Sequence, residues 1–548
     1  MTTSPGEAKP KPIGRTGLSL VSLAVVGLIF FNILLMLLHH PSMVAPEAAL
    51  SIEAAKLVVS GKVPYIDFIC LISPILLYGS VLPLSLAQVL NFAPSLAINL
   101  LNLLLAFAST IFCANILLPK KHHREWQIFP HLLMALAVAN ALMLFQLGQS
   151  EQLFMLLFMP YVLVRWLRWN GYSITKKEAI TSGIAAAIGL SFGQQFIVFP
   201  LFLETLWLCS YIKLDPLIAL EVRLCLITTV VYGLFLIMCT EPFTGAYLST
   251  IWPIFGTTSD YYDMAMYGIG SMPERRDIFY AGIAAIIFAI PKSNRSNLSL
   301  TLILMFLTGF WFYLNQPTGL SHTAIPMIFS ATLLWGVNFG ITGQKLSAFC
   351  KNKFDFVLLC TFSVIVFAVT WLFLAHQQNF IAATFPTITD DTPGERPIPA
   401  DCASWLAKYS EKGDQVMFLT DDQLPGHPLL LQMNRKPSGY FLDSSFLPWL
   451  DHAVHPGPNE NQYKRLTEQF YKRLKEDIIN QKPKMIFLQE GTMHDLMNKN
   501  EVMPTIDKNY VWKGAARLKK INDSNMEPLE YHGVLYNVGV FVPKEKTP

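Results

Sequence analysis

Long apolar runs dominate the chain, and polar residues gather between them. Runs at 18–38, 94–118, 132–147, 153–169, 179–192, 196–212, 224–239, 278–290, 298–314, 324–337 and 356–374 read as membrane-spanning helices with loosely defined ends. Crossing a bilayer takes about 20 predominantly apolar residues. A twelfth run, 75–90, is short and is interrupted by Ser, Pro and Gln. After the last long run the pattern changes. From about residue 398 charges are frequent, and apolar residues fall into short strand-like runs at 416–420, 484–489 and 534–542, with a helical pattern at 462–480. That alternation predicts an α/β domain.

The stretch 45–76, APEAALSIEAAKLVVSGKVPYIDFICLISPIL, fits neither class. It is too polar to span and too apolar for a surface loop. Pro46 suits the first position of a helix, and Gly61 ends it. Leu50, Ala54, Leu57 and Val58 share one face of that helix.

Basic residues cluster at 9–15, 120–124, 165–177, 213–223, 292–295 and 345–353. Cytoplasmic loops are the ones enriched in Lys and Arg. All six clusters fall on one side if 75–90 lies in the interface instead of crossing. The expectation is therefore about eleven spans with a cytoplasmic N-terminus. The segments 45–91, 148–151, 193–195, 241–276, 315–323 and everything after 376 then face out. The chain divides into a tail (1–16), a membrane part (17–375) with its first outer loop at 39–93, a Pro-containing linker (376–397) and an extracytoplasmic α/β domain (398–548).

Composition agrees. Of 548 residues, 52% are hydrophobic and 14% charged, and mean hydropathy is +0.39. A soluble domain carries about 25% charged residues. The net charge of +3 shows no bias that would suit nucleic acid. Eight cysteines are scattered, without CxxC or Cys/His clustering. The C-terminal domain lacks GxGxxG and GxxxxGK[ST], so no nucleotide site is implied there.

Candidate chemistry sits on the outer side. Glu47 stands at the tip of the 46–60 helix, where the helix dipole favours a carboxylate. It could take a proton from an acceptor hydroxyl, hold a divalent cation, or cap its helix. Glu151 opens the run at 153–169 with the same choice between chemistry and capping. Glu53, on another side of the first helix, reads as solvated. Asp67 either binds substrate or closes a turn. The loop 241–276 carries DYYD, with Asp260 and Tyr262, and ends near Arg275 and Arg276, whose guanidinium groups suit a lipid phosphate. His322 stands at a span entrance. Glu204, inside a span, is expected to be paired or to face a cavity.

These features together resemble the GT-C glycosyltransferases. The residues that carry the resemblance are the outer acid at a helix start, GKVPYIDFICLISPIL, GQSEQLFMLLFMPYVL and FIVFPLFLE. Protein O-mannosyltransferases and the lipid A aminoarabinose transferase share that layout. The resemblance covers about 17–374 and, more loosely, the C-terminal domain. It implies inverting transfer of a hexosyl or pentosyl unit from a polyprenyl-phosphate donor to a lipid, glycan or protein, on the outer face of a bacterial inner membrane. It places Glu47 at the catalytic acid's position, with a proposed role as base, and Glu151 at that of a second one; the reading of the residues themselves adds Tyr65, Asp67, Asp260, Tyr262, Arg275, Arg276 and His322 as candidate substrate contacts. Mg or Mn, if used, would sit on Glu47 and Glu151. The chain departs from the pattern at Cys70 (an acid in relatives), Ile72 (Asn), Ser73 (Pro), Gln152 (His) and Gly193 (Lys). Those departures leave a second expectation open, a degenerate relative or a non-enzymatic scaffold or transporter in envelope polysaccharide assembly.

Overall fold

The computed structural model describes residues 13–117, 128–212, 214–238, 276–289, 297–315, 321–349, 361–370, 398–454, 460–516 and 537–544, with the single residues 247, 254 and 372. The linker expected at 376–397 lies outside the described residues.

Each of the eleven apolar runs is helical where it is described. In order they form α1 (Ile13–His39), α5 (Pro94–Leu117), α6 (Phe129–Leu142), α7 (Ser150–Trp169), α8 (Lys176–Leu190), α9 (Val198–Tyr211), α10 (Leu220–Met238), α11 (Arg276–Ala289), α12 (Asn297–Asn315), α13 (Ile325–Phe349) and α14 (Thr361–Thr370). The first outer loop supplies α2 (Pro46–Val59), α3 (Pro74–Gly79) and α4 (Val81–Leu90). Among the described residues four stretches are long and apolar enough to cross a membrane by themselves: Leu20–His39, Pro94–Leu117, Leu220–Met238 and Ile325–Gly343.

Local chemistry sets the helix ends. Ala45 is extended (φ −67°, ψ 149°) and Pro46 takes the first turn, where its missing N–H costs nothing. A capping box starts α8. The Glu178 N–H donates to Thr175 Oγ1 at 3.2 Å, and the Thr175 N–H donates to Glu178 Oε2 at 2.7 Å.

α7 is buried along almost its whole length and carries a buried network of charged side chains. Arg165 is fully enclosed. Its Nε and Nη2 donate to Glu204 at 2.6 and 2.7 Å, and its Nη1 donates to Glu221 at 2.9 Å. Arg168 completes Glu221 with bonds of 2.9 and 2.8 Å. Two cations thus answer two anions, and α7, α9 and α10 are tied together. Glu204 is paired, as one of the two expectations had it. Arg165 and Arg168, counted above in the basic cluster 165–177 that marks the cytoplasmic side, are committed to this network. The exposed cations there are Lys176 and Lys177.

The C-terminal part builds one five-stranded sheet, in the order β2-β1-β3-β5-β4. Its strands are β1 (Gln415–Leu419), β2 (Lys436–Pro437), β3 (Met485–Gln489), β4 (Tyr510–Ala516) and β5 (Val538–Pro543). β2, β1 and β3 run parallel, and β5 pairs antiparallel with β3 and β4. Side chains alternate across the sheet. Val416, Met485, Phe487 and Val540 pack on one face with α15 (Ile398–Tyr409) and α16 (Gly426–Gln432). Met417, Leu419, Ile486 and Leu488 pack on the other with α18 (Glu460–Asn480), which follows the short α17 (Leu447–His452).

That second face also meets the first outer loop. Leu50, Tyr65, Phe68 and Ile69 share one apolar cluster with Met417, Phe441 and Phe470. The backbones join as well, with Ile69 N–H to Tyr440 O at 2.7 Å and Leu442 N–H to Ile69 O at 3.0 Å. Leu431 of α16 lies against Ala45, Ala48, Ala49 and Ile52 of the α2 region, and Gln432 Nε2 donates to Ser42 O at 2.9 Å. The middle of α2 is therefore enclosed on all sides, with eight consecutive residues from Ala48 to Ala55 buried. Glu53 is a correction to the reading above. It is 2% exposed and binds Lys56 Nζ at 2.7 Å, because the face assigned to solvent is covered.

Replacing Arg165 with Met should destabilise the bundle by about 3–5 kcal/mol, since Glu204 and Glu221 would stay buried with unanswered charge. Thermal unfolding in nanodiscs measures this. The variant R165M/E204L should recover part of the loss.

Candidate active site

Two helix N-termini converge on one carboxylate. Glu47 occupies the first turn of α2, and its Oε2 accepts from the backbone N–H of Ser150 at 2.8 Å and from Ser150 Oγ at 3.1 Å. Ser150 is the first residue of α7. Each helix start presents unpaired N–H groups and a partial positive charge, which favour an anion between them. The same Ser150 hydroxyl reaches Glu151 Oε2 at 3.1 Å. One hydroxyl carries one hydrogen, so the two carboxyl groups compete for it or share a second proton. Glu47 and Glu151 thus belong to one site, although 103 residues separate Glu47 from Ser150.

A tight turn aims Ser150. Gly148 has φ +89°, and a Cβ there would meet Asn102 Nδ2 at 2.5 Å and Ala48 Cβ at 3.1 Å. The Gly148 N–H donates to Gln152 Oε1 at 2.9 Å. Gln152, which stands where the resemblance puts His, braces this turn.

The other expected site residues separate into groups. Asp67 accepts from the Val63 N–H at 2.7 Å and closes the turn after α2. Tyr65 is 1% exposed with φ +65°, and its hydroxyl donates to Ile72 O at 2.8 Å, so this side chain anchors the loop from within. Cys70 and Ile72 are buried beside it in the same apolar cluster. Burial pushes the Cys70 thiol up to about 12, which removes it from acid–base work. Asp260, Tyr262 and Arg275 lie outside the described residues. The backbone of Arg276 starts α11, and that of His322 lies in a short 3-10 turn, Ser321–Ala324; their side chains are not described. Gly193 is extended at φ −166° and precedes a 3-10 turn, Gln194–Ile197.

Sequence reasoning missed Ser150. The signal was present as a Ser directly before Glu151 at a helix start, in GQSEQL. It also missed Asn102, which reaches the site from α5.

No protein-family model matches the chain, and no curated protein does. Solved structures are similar. ArnT from Cupriavidus metallidurans in the apo state aligns at a TM-score of 0.51 and 12% identity, covering 96% of this chain and 98% of that one. The chain has the ArnT fold. A second ArnT structure from the same organism, bound to undecaprenyl phosphate, aligns at a TM-score of 0.49 and 13% identity over the same shares of both chains. ArnT is an aminoarabinose transferase of GT-C type. Its fold is the one the GT-C resemblance implied for this chain.

Gly148→Ala should cost about 1–3 kcal/mol, from the forced left-handed backbone and the clash with Asn102. Thermal unfolding checks the loss. Gly61→Ala, with the same φ of +89° but nothing within 4 Å of its Cβ, should cost less.

Proposed function

We propose that the chain is a membrane glycosyltransferase that moves a hexosyl or pentosyl unit from a polyprenyl-phosphate donor to an extracytoplasmic acceptor. The observation that carries this reading is the Glu47–Ser150–Glu151 junction, two carboxylates on one hydroxyl within an ArnT fold. Fold alone does not assign chemistry; the acids at the helix tips give the reading its mechanism.

Glu47 takes the proton of the acceptor hydroxyl. The acceptor oxygen attacks the anomeric carbon, the bond from that carbon to the phosphate oxygen breaks, and polyprenyl phosphate leaves with the electron pair. One displacement inverts the anomeric centre. Ser150 holds Glu47 through its N–H, and its hydroxyl is shared between Glu47 and Glu151, so the base is oriented before the acceptor arrives. Glu151 is the second acid of the pair. Among the described residues no group of three or more His, Cys, Asp and Glu could hold a metal ion. Glu47 and Glu151 are hard oxygen donors of the kind Mg or Mn takes, and they are the residues that would hold such an ion. In this reading the membrane part has eleven spans, the N-terminus is cytoplasmic, and the site with the C-terminal sheet lies outside the bacterial inner membrane.

A second reading is a silent relative that binds lipid-linked sugar as a scaffold or transporter component. Cys70 favours it, because a buried thiol stands where the resemblance expects an acid.

Glu47→Gln separates the two. Transfer from a polyprenyl-phosphate sugar by the purified full chain should fall by at least about a hundredfold, with folding and insertion unchanged. Equal transfer by Glu47→Gln overturns the catalytic assignment, and no transfer by the wild type favours the second reading. Repeating the assay with EDTA tells whether the carboxylates act with or without a divalent ion.

A further inference from the structure

On and against the turn that carries Ser150 and Glu151 lies a set of amide side chains whose hydrogen-bonding capacity is only partly used among the described residues. Asn102 is 7% exposed, Gln149 3% and Gln152 0%. The Asn102 Nδ2, Gln149 Oε1 and Gln152 Nε2 atoms have no hydrogen-bond partner among the described residues. The geometry ties this set to the acids. Asn102 Nδ2 faces Gly148, two residues before Ser150, and Gln152 Oε1 holds the Gly148 N–H. Gln149 directly precedes Ser150. Ala48, the neighbour of Glu47, packs on the same glycine. Glu47 is half-buried and forms the accessible edge of this neighbourhood, while the amides lie deeper.

Buried polar atoms are almost always paired, so an unpaired group among them needs a reason. Three on and against the 148–152 turn that carries Ser150 and Glu151 point to a ligand that supplies the missing partners. The unused capacity is two NH2 groups, each with two N–H donors, and one oxygen acceptor, all uncharged. A phosphate would call for cations or several converging N–H groups. A ring of hydroxyls, each able both to donate and to accept, matches neutral amides.

We propose that Asn102, Gln149 and Gln152 form the sugar subsite. Asn102 and Gln152 donate to ring hydroxyls of the donor, and Gln149 accepts from one. This assignment rests on the glycosyltransferase reading and adds to it the residues that hold the sugar apart from the lipid phosphate. A sugar in this place has Glu47 and Glu151 at its edge. Sugar specificity would therefore reside in α5 and the 148–152 turn.

The test compares farnesyl phosphate with farnesyl phosphate carrying glucose, mannose, galactose or arabinose, binding to the full chain in nanodiscs. The wild type should bind at least one of the sugar-bearing ligands about tenfold more tightly than farnesyl phosphate. Asn102→Leu and Gln149→Leu should each lose that preference while binding farnesyl phosphate as the wild type does. Their thermal stability should be equal or higher, because each removes an unpaired buried polar group. A merely structural role predicts the opposite pattern, with lower stability and the preference intact, and that result overturns the proposal. So does a wild type that binds farnesyl phosphate without distinguishing any sugar. A wild type that binds neither kind of ligand sinks the glycosyltransferase reading itself. If Asn102→Leu fails to fold, Gln149→Leu carries the same criteria alone.

Discussion

The bond from Ser150 to Glu47 is the constraint on which the rest of the site depends. It closes the start of α7 against the start of α2 and so fixes where the first outer loop sits on the bundle. A helix start needs partners for its free N–H groups, and here one of them is served by a carboxylate from another helix. Everything near it follows. Gly148 must be glycine to let Asn102 and Ala48 approach, Gln152 must reach back to hold the turn, and Glu151 arrives at the same hydroxyl.

The remainder of the chain holds that junction from two sides. Within the bundle, Arg165 and Arg168 lock α7 to α9 and α10 some four turns away from Ser150, so α7 is fixed at both ends. From the other side the C-terminal sheet grips the loop. Tyr440 and Leu442 pair with Ile69, and Gln432 holds Ser42 just ahead of α2. The sheet is thus a structural neighbour of Glu47. Changes in α16 are expected to be felt at the acid although no residue of α16 is part of the junction.

Much of this was legible in the sequence wherever a local rule applies. Pro46 and Gly61 bracket α2 as helix-end chemistry requires, and long apolar runs become helices because their backbone must be satisfied internally. Glu47 and Glu151 were visible as acids at helix starts. What was not legible depends on partners distant in sequence. Glu53 was assigned to solvent from helical periodicity, which assumes one buried face, but α2 is covered by α3, α4, α5 and α16. Arg165 read as part of a basic cluster until Glu204 and Glu221 came to meet it. β2 has two residues, too few to show a period, and β4 is an edge strand with several exposed positions, so neither carried a strand pattern. Ser150 was one residue from a candidate acid, yet its role depends on Glu47, which no spacing rule connects to it.

The site requires Glu47 and Ser150 to act as one unit. A double-mutant cycle on thermal stability in nanodiscs, with Glu47→Ala, Ser150→Ala and the double variant, measures this directly. Ser150→Ala removes the hydroxyl bond to Glu47 and keeps the backbone N–H bond, so the cycle reads the side-chain part of the junction, and a coupling of about 0.5–3 kcal/mol is predicted, with the double variant losing less than the sum of the single losses. Losses that add, with no coupling beyond error, would show that the Ser150 hydroxyl does not hold Glu47 and would contradict a site built on that shared hydroxyl.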